Sequence, residues 1–100
     1  MPLSSHQKRY LRGIAHSLDP VILVGQKGVT PSLLKEFDGA LKHHELVKVK
    51  LADADREDRA ETIELLREGS KSELVQTIGR VACFFRRNPE QPKIELPRKK

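Results

Sequence analysis

A chain of 100 residues has room for one compact domain around a single core, which excludes a large multidomain enzyme. With 37% hydrophobic and 33% charged residues it can bury a modest core and is not composed like a disordered chain. Nineteen Lys and Arg against 14 Asp and Glu leave a formal charge of +5, which puts a polyanion first among the partner classes to consider.

Ser4 and Gln7 have the spacing of a capping box, so a first helix is predicted to begin there. Leu11, Ile14, Ala15 and Leu18 recur at i, i+3, i+4 and i+7 and form one buried stripe, while Lys8, Arg9 and Arg12 project elsewhere. Gly13 weakens that helix by about 1 kcal/mol relative to Ala, and Asp19-Pro20 stops it. Residues 21–24 form a short, unbroken β-rich run, predicted to be a strand with both faces covered or nearly so. Gly25-Gln26-Lys27-Gly28 follows immediately. Thr30 then suits an N-cap and Pro31 the first helical position, which predicts a second helix over residues 31–43 with Leu33, Leu34, Phe37 and Leu41 on its apolar face.

Residues 46–51 alternate strictly, placing Leu46, Lys48 and Lys50 on one side of a strand and Val47, Val49 and Leu51 on the packed side. A third helix is predicted from about residue 55 to 68, with Ala60, Ile63 and Leu66 or Arg67 on its inner face and acids in its first turn. Residues 70–87 are ambiguous: Ser70 and Glu73 could form another capping box, but the β-branched and aromatic content favours a hairpin turning at Gly79-Arg80. Prolines at 89, 92 and 97 and bases at 93 and 98–100 suggest an extended or mobile basic tail. Residues 1–97 are thus expected to form one domain, ending in a basic tail at 98–100. The order αβαβαββ predicts an α/β fold of α+β two-layer type, with parallel strands joined by helical crossovers and one antiparallel strand added by the hairpin, a four-stranded mixed sheet.

Charge is unevenly placed along this frame. Residues 53–73 carry a net charge of −4 and the other 79 residues +9, so the third helix is expected to face away from any polyanion. The single Cys83 and the absence of a secretory-type apolar run point to a cytoplasmic location. The longest apolar run is five residues, against about 20 for a membrane span, so no membrane partner is expected.

The chemistry concentrates in Gly25-Gln26-Lys27-Gly28. Gly-x-x-Gly between a strand and a capped helix offers flexible backbone and free N–H groups beside a positive helix end, with Lys27 as an added cation, and this suits phosphate. An ordinary βα turn would look the same in isolation. His43 and His44 are adjacent, with no Cys or His at ligand spacing, so neither a metal nor another cofactor is expected. Cys83 alternates with Val81 and Phe85 and suits a buried thiol; the phenylalanines suit the core, with Tyr10 left open as a stacking residue. Lys48 and Lys50 suit either a solvated sheet face or a polyanion, and Arg86 and Arg87 either a protected strand edge or a polyanion.

Ala15-His16, residues 20–25, Gly28, His44-Glu45-Leu46-Val47-Lys48-Val49-Lys50, Gln76-Thr77-Ile78-Gly79-Arg80 and Ile94-Glu95-Leu96-Pro97 occur together and in order. In this the chain resembles the YhbY-like CRM-domain family, from about residue 3 to 97. The resemblance implies the fold of the C-terminal domain of translation initiation factor three. It also implies RNA binding through a GxxG loop, no catalysis, and association with precursors of the large ribosomal subunit, hence rRNA and ribosomal particles as partners and a role in assembly. Gly25, Gln26, Lys27 and Gly28 then make the loop, with Lys8 and Arg12 of the basic first helix, and Lys48 and Lys50, on the same RNA surface. A monomer is expected. The helix-to-strand junction Gly69-Ser70-Lys71-Ser72 departs from the family pattern. An Alba-like nucleic-acid packaging protein, a phosphate-binding enzyme and a purely protein-binding ribosome factor are the alternatives. The enzyme lacks support from a Gly-x-x-x-x-Gly-Lys-Ser/Thr loop or a nucleophile with a base.

Overall fold

A computed structural model describes residues 3–25, 27–52 and 56–97. Its elements are α1 (Ser5–Ala15), β1 (Ile22–Val24), α2 (Pro31–His44), β2 (Leu46–Leu51), α3 (Arg56–Ser70), β3 (Glu73–Ile78) and β4 (Val81–Phe85). The four strands make one mixed sheet in the order β1-β2-β4-β3, with β1 and β2 parallel and the other pairs antiparallel. The chain is an α/β domain.

The sheet order follows from which strands can be buried on both faces. Ala82 and Phe84 of β4 face one core and Cys83 and Phe85 the other, all of them buried. A strand with no polar side must lie inside the sheet. Accordingly, the return arm of the hairpin inserts between β2 and β3, and β3, which carries Gln76 and Thr77, takes the edge.

The larger core lies between the sheet and helices α2 and α3. Ile22, Val24, Val47, Val49, Leu51, Ala82 and Phe84 meet Phe37, Leu41, Ile63 and Leu66 there. The Phe37 and Phe84 rings meet edge to face, 5.1 Å apart. Ala60, expected on the inner face of α3, is exposed; the buried face runs through Ile63, Leu66 and Ser70. A Cβ at Gly69 would stand 2.8 Å from Leu34 Cδ2, so glycine here lets α3 approach α2 closely. Arg86 fastens the same corner, with Nη1 donating to Asp38 Oδ1 and to the Ser70 carbonyl (both 2.7 Å) and Nη2 to the Asp38 carbonyl (3.1 Å).

The junction after α3 is an orderly helix end. Ser72 N–H donates to the Arg67 carbonyl (3.1 Å) and Lys71 N–H to that of Glu68 (3.4 Å), with Lys71 at φ 56°. That is the Schellman pattern, with lysine where glycine is usual. The residue type hides it in the sequence.

On the opposite face α1 packs against β2 and β3 over Leu11, Ala15, Leu46, Val75, Cys83 and Phe85. Its capping box forms: Gln7 N–H donates to Ser4 Oγ and Ser4 N–H to Gln7 Oε1, each at 3.1 Å. The helix ends at Ala15, short of Leu18, and α1 packs on β2 and β3 more than on β1. Leu23 is consequently 65% exposed, so β1 is covered on one face, where the sequence predicts two.

Residues 88–97, expected to be extended or mobile, form no helix or strand, bend at 89–91 and 94, and are docked. Glu45, fully buried at the end of α2, accepts the N–H groups of Asn88 (2.6 Å) at Oε2 and of Lys93 and Ile94 (both 2.7 Å) at Oε1. Ile94 and Leu96 pack on the α1 side core, and Gln7 Nε2 donates to the Pro97 carbonyl (2.9 Å). The tail end at 98–100 lies outside the described residues.

Candidate nucleic-acid interface

The glycine loop is set by its two ends. Ala52 N–H donates to the Val24 carbonyl (2.8 Å), which pins the end of β1 to the strand beside it. At the other end Thr30 Oγ1 accepts the Leu33 N–H (3.1 Å) and Pro31 occupies the first turn of α2, as predicted. Pro31 has no N–H, so Ser32 supplies the first-turn donor that the cap does not take up. Between these anchors Gly28 N–H donates to the Gly25 carbonyl (3.0 Å), closing a tight turn. Gly28 stands at φ 74°, a backbone state that costs an ordinary L residue about 1–2 kcal/mol. A Cβ there would meet nothing within 4 Å, so the need for glycine is conformational and the space in front of the backbone is open. Lys27 is exposed; Gln26 lies outside the described residues.

One neighbour of the loop was not anticipated. Gly25, Lys27 and Gly28 line a groove of about 640 Å³ whose far wall is α3, with Asp58, Arg59, Glu61, Thr62 and Leu65. The acidic helix, expected to face away from any polyanion, therefore presents its N-terminal half to the loop. The crossover to α3 runs from the end of β2, beside the end of β1, and this brings the helix start to the same edge of the sheet. Glu64 does not line the groove and is held by Arg67, which lowers its pKa through their hydrogen bond.

The other candidates lie elsewhere. Arg12 is exposed on the last turns of α1, with Lys8 one turn before it and half-buried. Lys50 is exposed on the open sheet face. Lys48 is engaged: its ammonium donates to the carbonyls of Ala15 (3.1 Å) and Leu18 (3.0 Å), closing the C-terminal end of α1 where a cation is favoured. Arg86 is the α2–α3 clamp already described, and Arg87 is exposed. Cys83 is buried against α1, and burial pushes its thiol up to about 11, slightly offset by Lys48. His43 and His44 are exposed and meet edge to face, 4.5 Å apart. Tyr10 is 43% exposed.

Residues 3–86 match the family described as the CRS1 / YhbY (CRM) domain. The chain belongs to the CRM-domain family. An RNA-binding protein of Haemophilus influenzae is 46% identical over 97 residues, spanning 97% of each chain. The probable RNA-binding protein YqeI of Bacillus subtilis is 41% identical, over 95% of this chain and 99% of its own. The solution structure of the hypothetical protein SAV1595 from Staphylococcus aureus superposes with a TM-score of 0.82 at 40% identity, covering 96% of this chain and 100% of that one. The CRM domain therefore takes in the glycine loop, the helix it feeds and the whole sheet. Glu45 is the functional-looking residue that sequence reasoning left without a role. Its only sequence signal was an acid between a helix end and an apolar strand, and its work is to hold the segment after the family-matched region.

Proposed function

We propose that this CRM-domain protein binds RNA without catalysis, in the cytoplasm, and assists assembly of the large ribosomal subunit by associating with its rRNA-containing precursors. The observation that carries the reading is the loop. Gly28 at positive φ closes a turn that feeds straight into the capped start of α2, with Lys27 exposed and open space beside the Gly25 and Gly28 backbone. Backbone N–H groups and a cation at a helix start favour phosphate oxygens over bases, so the loop supplies affinity and the RNA's shape supplies selection. Relatives named as RNA-binding proteins along nearly their full length support the same partner. Gly25, Gln26, Lys27 and Gly28 are assigned to phosphate, and Lys8 and Arg12 on α1 and Lys50 on the open sheet face are further cations for the same RNA. Lys48 is left out of that set because its ammonium closes α1.

Sedimentation of cell extract through a gradient, with crosslinking of the bound RNA, tests this. The protein should migrate with particles smaller than the mature large subunit and crosslink to its rRNA. Recovery only at the top of the gradient, with no rRNA crosslink, would overturn the assembly role.

A further inference from the structure

Leu23, Lys50, Val81 and Ile78 stand side by side across all four strands, on the half of the sheet that α1 leaves open. Leu23 and Ile78 are each 65% exposed. Beside this row the end of α1 and the turn after it leave a groove of about 440 Å³ against the sheet. Ala15, Leu18 and Pro20 form one apolar wall; Ile78, Val81 and Cys83 form the other. That volume falls in the range of small-ligand sites, roughly 300–1,000 Å³.

The polar groups of the groove decide what it suits. Gln76 is half-buried on β3, and among the described residues its side-chain amide has no hydrogen-bond partner. Arg12 and His16 stand on the α1 side, and Arg12 makes no ion pair among the described residues. Asp19 lies on the turn and disfavours a phosphate there, whereas Lys50 is exposed in the adjoining row. A purely apolar partner would bury the amide of Gln76 and the charge of Arg12 without partners, which is costly. A nucleobase satisfies all three requirements at once. Its faces fit between apolar walls, its edge matches an amide that both donates and accepts, and its flanking phosphates meet cations.

We propose that this groove takes an unstacked nucleobase from a single-stranded stretch of RNA, with Gln76 bonding the base edge and Arg12 and Lys50 meeting the adjacent phosphates. The proposal rests on the reading of the chain as an RNA-binding protein and extends it from capture of backbone to selection of unpaired RNA.

The test compares binding of a short fluorescent single-stranded RNA of mixed sequence with binding of the blunt duplex made from it. Wild type should prefer the single strand. Gln76→Ala should reduce that binding by about fivefold, the size of one lost hydrogen bond, and leave the duplex unaffected. Ile78→Glu, at an exposed position, should do the same, while Lys27→Ala should weaken both RNAs. Equal binding of both RNAs by wild type, with Gln76→Ala and Ile78→Glu unchanged, would overturn the groove and leave the loop standing. No binding of either RNA would overturn the RNA reading itself. If Ile78→Glu bound naked RNA normally and only lost its place on ribosomal particles, the face would dock protein, and the proposal would fall.

Discussion

Glu61 and Lys27 look onto the same groove with opposite charges, so a phosphate that gains from one is opposed by the other. Glu61→Lys should tighten RNA binding by about 0.5–1 kcal/mol, since reversing one charge several ångströms from a phosphate in screened water is worth that much. Glu64→Lys, at a position that does not line the groove, should change little. Fluorescence titration of both variants checks this, and a weakened Glu61→Lys would mean that the groove does not meet phosphate. Cys83 gives a test of the opposite core. With its thiol raised by burial to about 11, little thiolate exists near neutral pH. Labelling by a thiol reagent should be slow in the native protein and fast after denaturation; rapid native labelling would contradict the packing of α1.

At the scale of elements, Glu45 combines a costly backbone with a compensating side chain. Its backbone, at φ 64° and ψ −41°, lies outside the left-handed helical region and disfavours a non-glycine residue by about 1–3 kcal/mol. Three N–H bonds to its carboxyl group, at about 1 kcal/mol each, offset that, and would cost more if left unmade in a buried site. Glu45→Gln sets an amide NH₂ against one of those donors. It should destabilise by about 1–3 kcal/mol and speed amide exchange at Asn88, Lys93 and Ile94; unchanged protection there would refute the latch. The Arg86 clamp carries a pH signature. The hydrogen bond from Arg86 holds Asp38 below its ordinary 3.8, so the folded state binds this proton less tightly than the unfolded chain does. The clamp's contribution is therefore complete above 3.8 and lost as pH falls through the lowered value. Asp38→Asn should be less stable than wild type near neutrality, with the gap closing in acid, as measured by denaturant unfolding at several pH values. A gap that widened in acid would contradict the clamp.

For the molecule as a whole, caps and periodicity made the elements readable. Ser4 and Gln7, Thr30 and Pro31, and the alternation from Leu46 to Leu51 each specify a local geometry that the fold uses unchanged. What local pattern cannot carry is which faces meet. Leu23 looked covered because an apolar run does not say how far α1 extends, and α3 looked remote because a charge count does not say where a crossover begins. The tail looked loose because the carboxyl group that holds it lies more than 40 residues earlier. The loop was legible as glycine spacing; its positive φ at Gly28 and its open approach required the structure. The most direct measurement is RNA affinity as a function of salt for wild type, Gly28→Asp and Gly28→Asn. Asp and Asn tolerate positive φ about equally, so the pair separates charge from backbone strain. Wild type should lose affinity steeply with salt, with a log–log slope of about −0.7 to −0.9 per phosphate contact. Gly28→Asn should stay close to it, and Gly28→Asp should bind about tenfold or more weakly with a shallower slope. A folded Gly28→Asp protein with wild-type affinity and wild-type slope would show that no phosphate sits at this loop.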